Sequence, residues 1–306
     1  MRSHRLFGIN LTSDFPFSFQ LGAGSAPADT MFSVCPDPPA VPAVPAMAGG
    51  SAFRLYRAPG FEVLQEPGLL DFCFRPGRID CHLLDPRYEF LIELRLLGPV
   101  LTHWLESRGL PVLHSSAVAA NGRAAAFLST HGAGKTGLAA ALMQAGCDLL
   151  TDDLLPIEER DGKFLGRSGY PQMRMWPDEA VHFLGGCEGL PLVHPELSKR
   201  RVPVGPDGFG TFCDRPLPLS CLYVPERLPD CEAPVEIHEI SRRDALIELV
   251  RHSFSPYLVE AAGLQPSRFD FFARLVREVP VRRLSYPSGF DRLPSVAEAV
   301  LRDVEC

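Results

Sequence analysis

The stretch Phe127-Leu128-Ser129-Thr130-His131-Gly132-Ala133-Gly134-Lys135-Thr136 decides how this chain is read. An apolar run closes at Leu128, a glycine-rich turn follows, and the Ala- and Leu-rich segment from Lys135 to Gln144 has the composition of a helix. A glycine turn at a helix start aims backbone N–H groups at one point, which is how phosphates are held. Lys135 adds a point charge for the outer phosphates, and the Thr136 hydroxyl is a hard ligand for Mg²⁺. The full pattern is G-x-x-x-x-G-K-[ST], and the chain meets it except at Ser129, where the first glycine would stand. The residues expected to line such a site are Thr130, His131, Gly132, Ala133, Gly134, Lys135 and Thr136, with the His131 side chain turned to solvent. An ordinary strand-to-helix turn carrying a surface lysine is the competing reading of the same residues.

Outward from this stretch, Gly146 stands where a helix-ending glycine belongs, and Asp148 to Thr151 reads as a short strand running into Asp152-Asp153. Adjacent residues at a strand end point in different directions, so one carboxylate can meet a metal while the other faces a reacting oxygen. Phosphoryl transfer to a hydroxyl needs both. A turn or cap pair after a strand fits the two aspartates equally when they are read alone. Upstream, Ala117–Ala120 and Ala124–Leu128 are strand candidates around Asn121-Gly122, a strong hairpin signal. Downstream, Ile157 to Leu165 reads as a second hairpin around Asp161-Gly162. Strand, loop, helix, strand with hairpins attached predicts an α/β fold.

These residues resemble a known family. Leu113-His114-Ser115-Ser116-Ala117-Val118, the glycine turn and Gly146-Cys147-Asp148-Leu149-Leu150-Thr151-Asp152-Asp153 are similar to the catalytic domain of HPr kinase/phosphorylase. They are closer still to the HPr-kinase-like proteins found beside peptide-modification genes, including the lasso-peptide kinases. Gly169-Tyr170-Pro171-Gln172-Met173-Arg174-Met175-Trp176, Leu197-Ser198-Lys199-Arg200 and Leu284 to Pro294 extend the likeness. The chain departs from it at Ser129, His131, Thr136 and Ser198. The resemblance implies an ATP-dependent serine kinase with a phosphate-loop domain akin to phosphoenolpyruvate carboxykinase. It implies Asp152 as general base, Asp153 and Thr136 as holders of Mg²⁺, and His114 beside the active site. Arg174 and Lys199 would stabilise transition-state charge or bind substrate phosphate. A core histidine at 114 and a solvated basic face at 174 and 199 are equally compatible with the residues themselves. The implied acceptor is a serine-containing peptide or small protein, in lasso-peptide relatives the C-terminal serine of a ribosomal precursor. A characteristic later segment of the HPr kinases proper is not evident, which favours a peptide over HPr. A nucleotide-binding regulator without turnover, an HPr kinase and a small-molecule kinase are the alternatives. HPr kinases are oligomers, so the resemblance also implies a homo-oligomer, although no stretch marks an interface.

The remaining sequence sets the frame. A chain of 306 residues has room for about two domains. A net charge of −7 lacks the basic footprint of a nucleic-acid binder. No apolar stretch approaches bilayer length, and charges at Arg2, Arg5 and Asp14 interrupt any leader-like core, so a cytoplasmic protein without membrane attachment is expected. Nine scattered cysteines without a C-x-x-C pair suggest thiols rather than a metal site. Thirty prolines argue against long helices. Pro36 to Gly50 reads as a linker, and residues 53–84 as short strands with a turn at Arg75-Pro76-Gly77-Arg78. Tyr88 to Arg108 reads as a helix broken at Pro99. The predicted division is a β-rich subdomain with a closing helix over 1–108 and a catalytic domain over 109–306. Within the latter, Glu188 to Pro218 reads mostly as loop, with strands at Leu219–Val224 and Val235–Ile240. A helix capped by Ser241 should follow, then one from Ser267 burying Phe269, Phe272, Leu275 and Val276, and a last one from Pro294.

Overall fold

The computed structural model describes residues 1–18, 21–24, 27–41, 52–129, 134–229 and 232–305. It is a mixed α/β structure with two eight-stranded sheets and a smaller three-stranded one. Two compact units can be separated: Met1–Leu110 with Phe254–Arg268, and Pro111–Ser253 with Phe269–Cys306. A contiguous division at residue 108 leaves the Phe254–Arg268 segment in the second unit, whereas it clusters with the first.

The first unit holds β1 (Arg2–Leu6), β2 (Ile9–Ser13), β3 (Gly22–Ala23), β4 (Thr30–Val34), β5 (Arg54–Ala58), β6 (Phe61–Glu66), β7 (Leu70–Arg75) and β8 (Arg78–Leu83). They form one sheet in the order β3-β1-β2-β4-β8-β7-β6-β5. Alternating residues such as Ile9, Leu11 and Ser13 are buried, as a sheet with one covered face requires. Residues 36–41 carry no regular structure, and the rest of the expected linker lies outside the described residues. The broken helix is α1 (Phe90–Arg95) and α2 (Leu101–Glu106), joined by a π turn over Leu96–Val100. Pro99 lacks an N–H and so interrupts the i→i−4 ladder there.

In the second unit, β9 (Val112–Ala120) and β10 (Arg123–Leu128) form the Asn121-Gly122 hairpin. Then come α3 (Lys135–Gln144), β11 (Asp148–Thr151), β12 (Leu154–Arg160), β13 (Lys163–Gly166), β14 (Gln172–Met175) and α4 (Pro177–Leu184). They are followed by β15 (Leu192–His194), β16 (Leu197–Pro203), β17 (Leu217–Leu228), β18 (Glu236–Glu239) and α5 (Arg242–Arg251). A short helix, α6 (Pro256–Ala261), falls in the first unit; α7 (Gln265–Glu278), β19 (Val281–Pro287) and α8 (Leu293–Glu305) close the chain. The 12-residue β17 hydrogen-bonds β13, β10 and β19 in turn, so β10, β9, β12, β13 and β17 pair in a ring. One core joins this sheet to α3, α4 and α8 through Phe127, Leu138, Leu142, Phe183, Tyr223 and Val300. A second joins it to α5 and α7 through Leu128, Leu155, Leu249, Phe272 and Leu275.

The stretch Glu188–Pro218 is mostly loop, as expected, but it also carries two strands: β15 and β16 pair with β14 in the order β14-β16-β15. The charged run Lys199-Arg200-Arg201 looks solvated, yet Lys199 and Arg201 are buried: Arg201 donates its guanidinium N–H groups to the carbonyls of Leu192 and Val193, and Lys199 lies against the Trp176 ring. On α7, Phe269 is exposed and Phe271 is buried in its place, a rotation of the expected apolar face.

Candidate active site

The described part of the glycine turn begins again at Gly134, at φ 87°, where the left-handed backbone turns the chain into α3. Thr130, His131, Gly132 and Ala133 lie outside the described residues. All of α3 from Lys135 to Met143 is buried, as an Ala- and Leu-rich helix packed on every side must be. Lys135 is 6% exposed, and its ammonium donates to the Ser129 carbonyl at 3.0 Å. Burial pushes that ammonium below its usual value, against the pull of Asp153 and Asp152.

The two aspartates occupy the tight passage from β11 to β12. Thr151 closes it by donating to the Leu154 carbonyl at 2.6 Å. Asp153 has φ 67°, so its side chain leaves the strand in a different direction from that of Asp152. The Asp152 carboxylate reaches the start of α3. One oxygen accepts from Ser116 at 2.5 Å and from Thr136 at 3.1 Å, and the other accepts from the Arg174 backbone N–H at 2.9 Å. Asp153 pairs with the Arg174 guanidinium at 2.9 Å and lies 3.9 Å from His114 Nε2. Arg174 also donates to the Tyr170 hydroxyl at 3.1 Å. Lys199 sits 5.5 Å from the Trp176 ring centre and shares a small cavity with Gly134, Lys135, Thr136, Asp153, Trp176 and Glu179. Every sequence-predicted residue of this set that the structure describes is therefore in one place.

The electrostatics separate the pair. Burial and the neighbouring Asp153 charge raise Asp152 above the ordinary carboxylate range. Asp153 is buried too, but Arg174, Lys199, His114 and Lys135 outweigh burial and hold it at about 2. Two adjacent carboxylates pushed in opposite directions give one group suited to taking a proton and one suited to staying charged.

Sequence reasoning missed Glu179, Trp176, Arg227 and Tyr286. Glu179 accepts from the Trp176 N–H at 2.8 Å, and burial raises its carboxyl. The spacing Trp176-Pro177-Asp178-Glu179 is a visible helix-start signal, and nothing in it points to a site. Arg227 ends β17 and Tyr286 ends β19, and only the parallel pairing of those strands brings them together at the register Arg227–Tyr286.

No family model matches the chain, and no curated protein matches it. Among solved structures it is similar to the HPr(Ser) kinase/phosphatase from Coxiella burnetii, at 11% identity and a TM-score of 0.32, over 63% of this chain and 95% of that one.

Proposed function

We propose that the second unit is an ATP-dependent kinase that moves the γ-phosphate to a serine hydroxyl of a peptide or small protein. The observation that carries the kinase reading is the junction of Asp152 with Thr136, at the first turn of a buried helix that also bears Lys135. Lysine and hydroxyl at that turn suit the phosphate chain, and the split carboxylate pair suits proton removal beside a retained negative charge. The serine acceptor and its peptide context follow from the motif resemblance, which departs from the HPr kinases proper.

The donor set also fits Mg²⁺. Thr136 and Asp153 offer hard oxygen, and two buried carboxylates side by side favour a cation. When bound there, Mg²⁺ would supply Lewis-acid charge neutralisation to the phosphate chain. The chain's own residues do the rest. Asp152 takes the proton from the serine Oγ as that oxygen bonds the γ-phosphorus and the bond to the departing ADP oxygen breaks. Asp153 stays ionised, fixed by Arg174. Lys135 and Lys199 face the phosphate oxygens, and His114 stands behind Asp153.

Lys135→Ala is expected to abolish ATP binding, measured by calorimetry. Asp152→Asn is expected to retain ATP and lose transfer to a serine peptide by about 100- to 10,000-fold. Wild-type transfer by Asp152→Asn would sink the assignment of the base.

A further inference from the structure

One strand face changes character at the site. In β9 the side chains of His114, Ser116, Val118 and Ala120 alternate onto the same face. Val118 and Ala120 belong to the core that holds α3. Ser116 is as fully buried as Val118, at 0% exposure, yet it carries a hydroxyl. Much of β9 and β10 around it is alanine, which would fill such a place with no polar atom to satisfy. A buried hydroxyl costs free energy unless it finds a partner. Here the partner is Asp152, at 2.5 Å and 36 residues on in the chain. A hydroxyl-to-carboxylate contact of that length is charge-assisted and strong.

An ionised carboxylate has about four lone-pair positions. Among the described residues, three donors reach Asp152. Oδ1 takes Ser116 and Thr136 at 2.5 and 3.1 Å, and Oδ2 takes the Arg174 backbone N–H at 2.9 Å. Oδ1 is then full, and one position remains, on Oδ2. The donors belong to β9, the first turn of α3 and β14, so three elements fix the carboxylate. Thr136 has a second task in holding Mg²⁺, and Arg174 contributes backbone. The Ser116 hydroxyl, by contrast, bonds Asp152 alone among the described residues.

Resting on the kinase reading above, we propose that Ser116 is a positioning residue for the base: its hydroxyl occupies Asp152 Oδ1 and leaves Oδ2 as the oxygen open to the acceptor. The acceptor's proton then passes to Oδ2 as its Oγ bonds the γ-phosphorus and the bond to the departing ADP oxygen breaks. Ser116 touches neither substrate and keeps its own proton.

Two substitutions separate the hydroxyl from the packing. Ser116→Thr and Ser116→Val bring the same branched shape, suited to a strand, and differ by a hydroxyl for a methyl. With ATP and a synthetic peptide ending in serine, Ser116→Val is expected to lower kcat by about 10- to 100-fold, the cost of a base misplaced by about 1 Å. KM for ATP and for the peptide should stay within about twofold, because the hydroxyl acts in the transition state and not in binding. Ser116→Thr should recover most of the wild-type kcat. Ser116→Ala adds no bulk and should behave as Ser116→Val does, which preserves the test if the larger side chains unfold the chain. Equal kcat in the Thr and Val variants, or a loss confined to KM, would overturn the positioning role and leave the kinase reading standing. Phosphate found on Ser116 by peptide mass spectrometry would overturn it too, by making that hydroxyl an acceptor. A wild type that transfers phosphate to no serine peptide would overturn the kinase reading and this inference with it.

Discussion

At the scale of single residues, the behaviour of the site turns on two adjacent carboxylates in different backbone conformations. Asp153 is one of the few non-glycine residues with positive φ, and that turn sends it to Arg174 while Asp152 meets Ser116 and Thr136. Because a base must be deprotonated to act, the transfer rate should rise with pH through the raised Asp152 value. Its acid limb should lie above the ordinary 3.8, and a pH–rate profile of kcat/KM reads it directly. Asp153 acts on stability with its own sign. Its carboxyl is depressed to about 2, so its contribution is full above about 4 and is lost as pH falls toward 2. Asp153→Asn strands the Arg174 charge and should lower stability at neutral pH by about 3 kcal/mol in urea unfolding. The pair was legible in the sequence because both members sit next to each other after an apolar run. Arg227 and Tyr286 were not, because each belongs to a different strand and only sheet register unites them.

Elements were legible where local chemistry sets them. Ser241 accepts from the Asp244 N–H at 3.2 Å and starts α5 where its cap signal places it. Ser241→Ala should cost about 1 kcal/mol in thermal unfolding and leave ATP affinity unchanged, because α5 carries no residue of the site. The Asn121-Gly122 and Asp161-Gly162 turns also hold, with all four residues at positive φ, as primed turns need. Strand β16 was hidden because consecutive basic residues suggest solvent, whereas here Arg200 and Arg201 donate to the carbonyls of Leu190 and Leu192, which satisfies their charged heads inside the fold. The face of α7 was misjudged by a fraction of a turn because Phe269, Phe271 and Phe272 offer two nearly equivalent apolar stripes, and packing against Phe164 selects Phe271.

For the whole molecule, the return of Phe254–Arg268 to the first unit could not be read from composition, since nothing in that segment differs from an ordinary helix-turn-helix. The structural reason is a buried ion pair: Arg268 and Glu106, 6% and 4% exposed, meet at 3.0 Å. Glu106→Gln breaks this buried pair and should destabilise the first unit by about 3 kcal/mol, seen as an earlier unfolding transition. For the same reason a fragment ending at Leu110 should lose cooperative unfolding that the intact chain retains. The three-stranded ribbon has a different consequence. Arg174 and Lys199 come from its strands β14 and β16, which pair with each other and, among the described residues, share no strand ladder with either large sheet; Arg174 reaches the carboxylates through its own N–H groups. The carboxylates come from the large sheet of the second unit. Two cations of the site thus reach it from a ribbon whose inner face, Met173, Met175 and Val202, is locked into the core with α3, while its outward residues Leu192 and Leu197 are exposed and free to diverge without disturbing the acid–base pair.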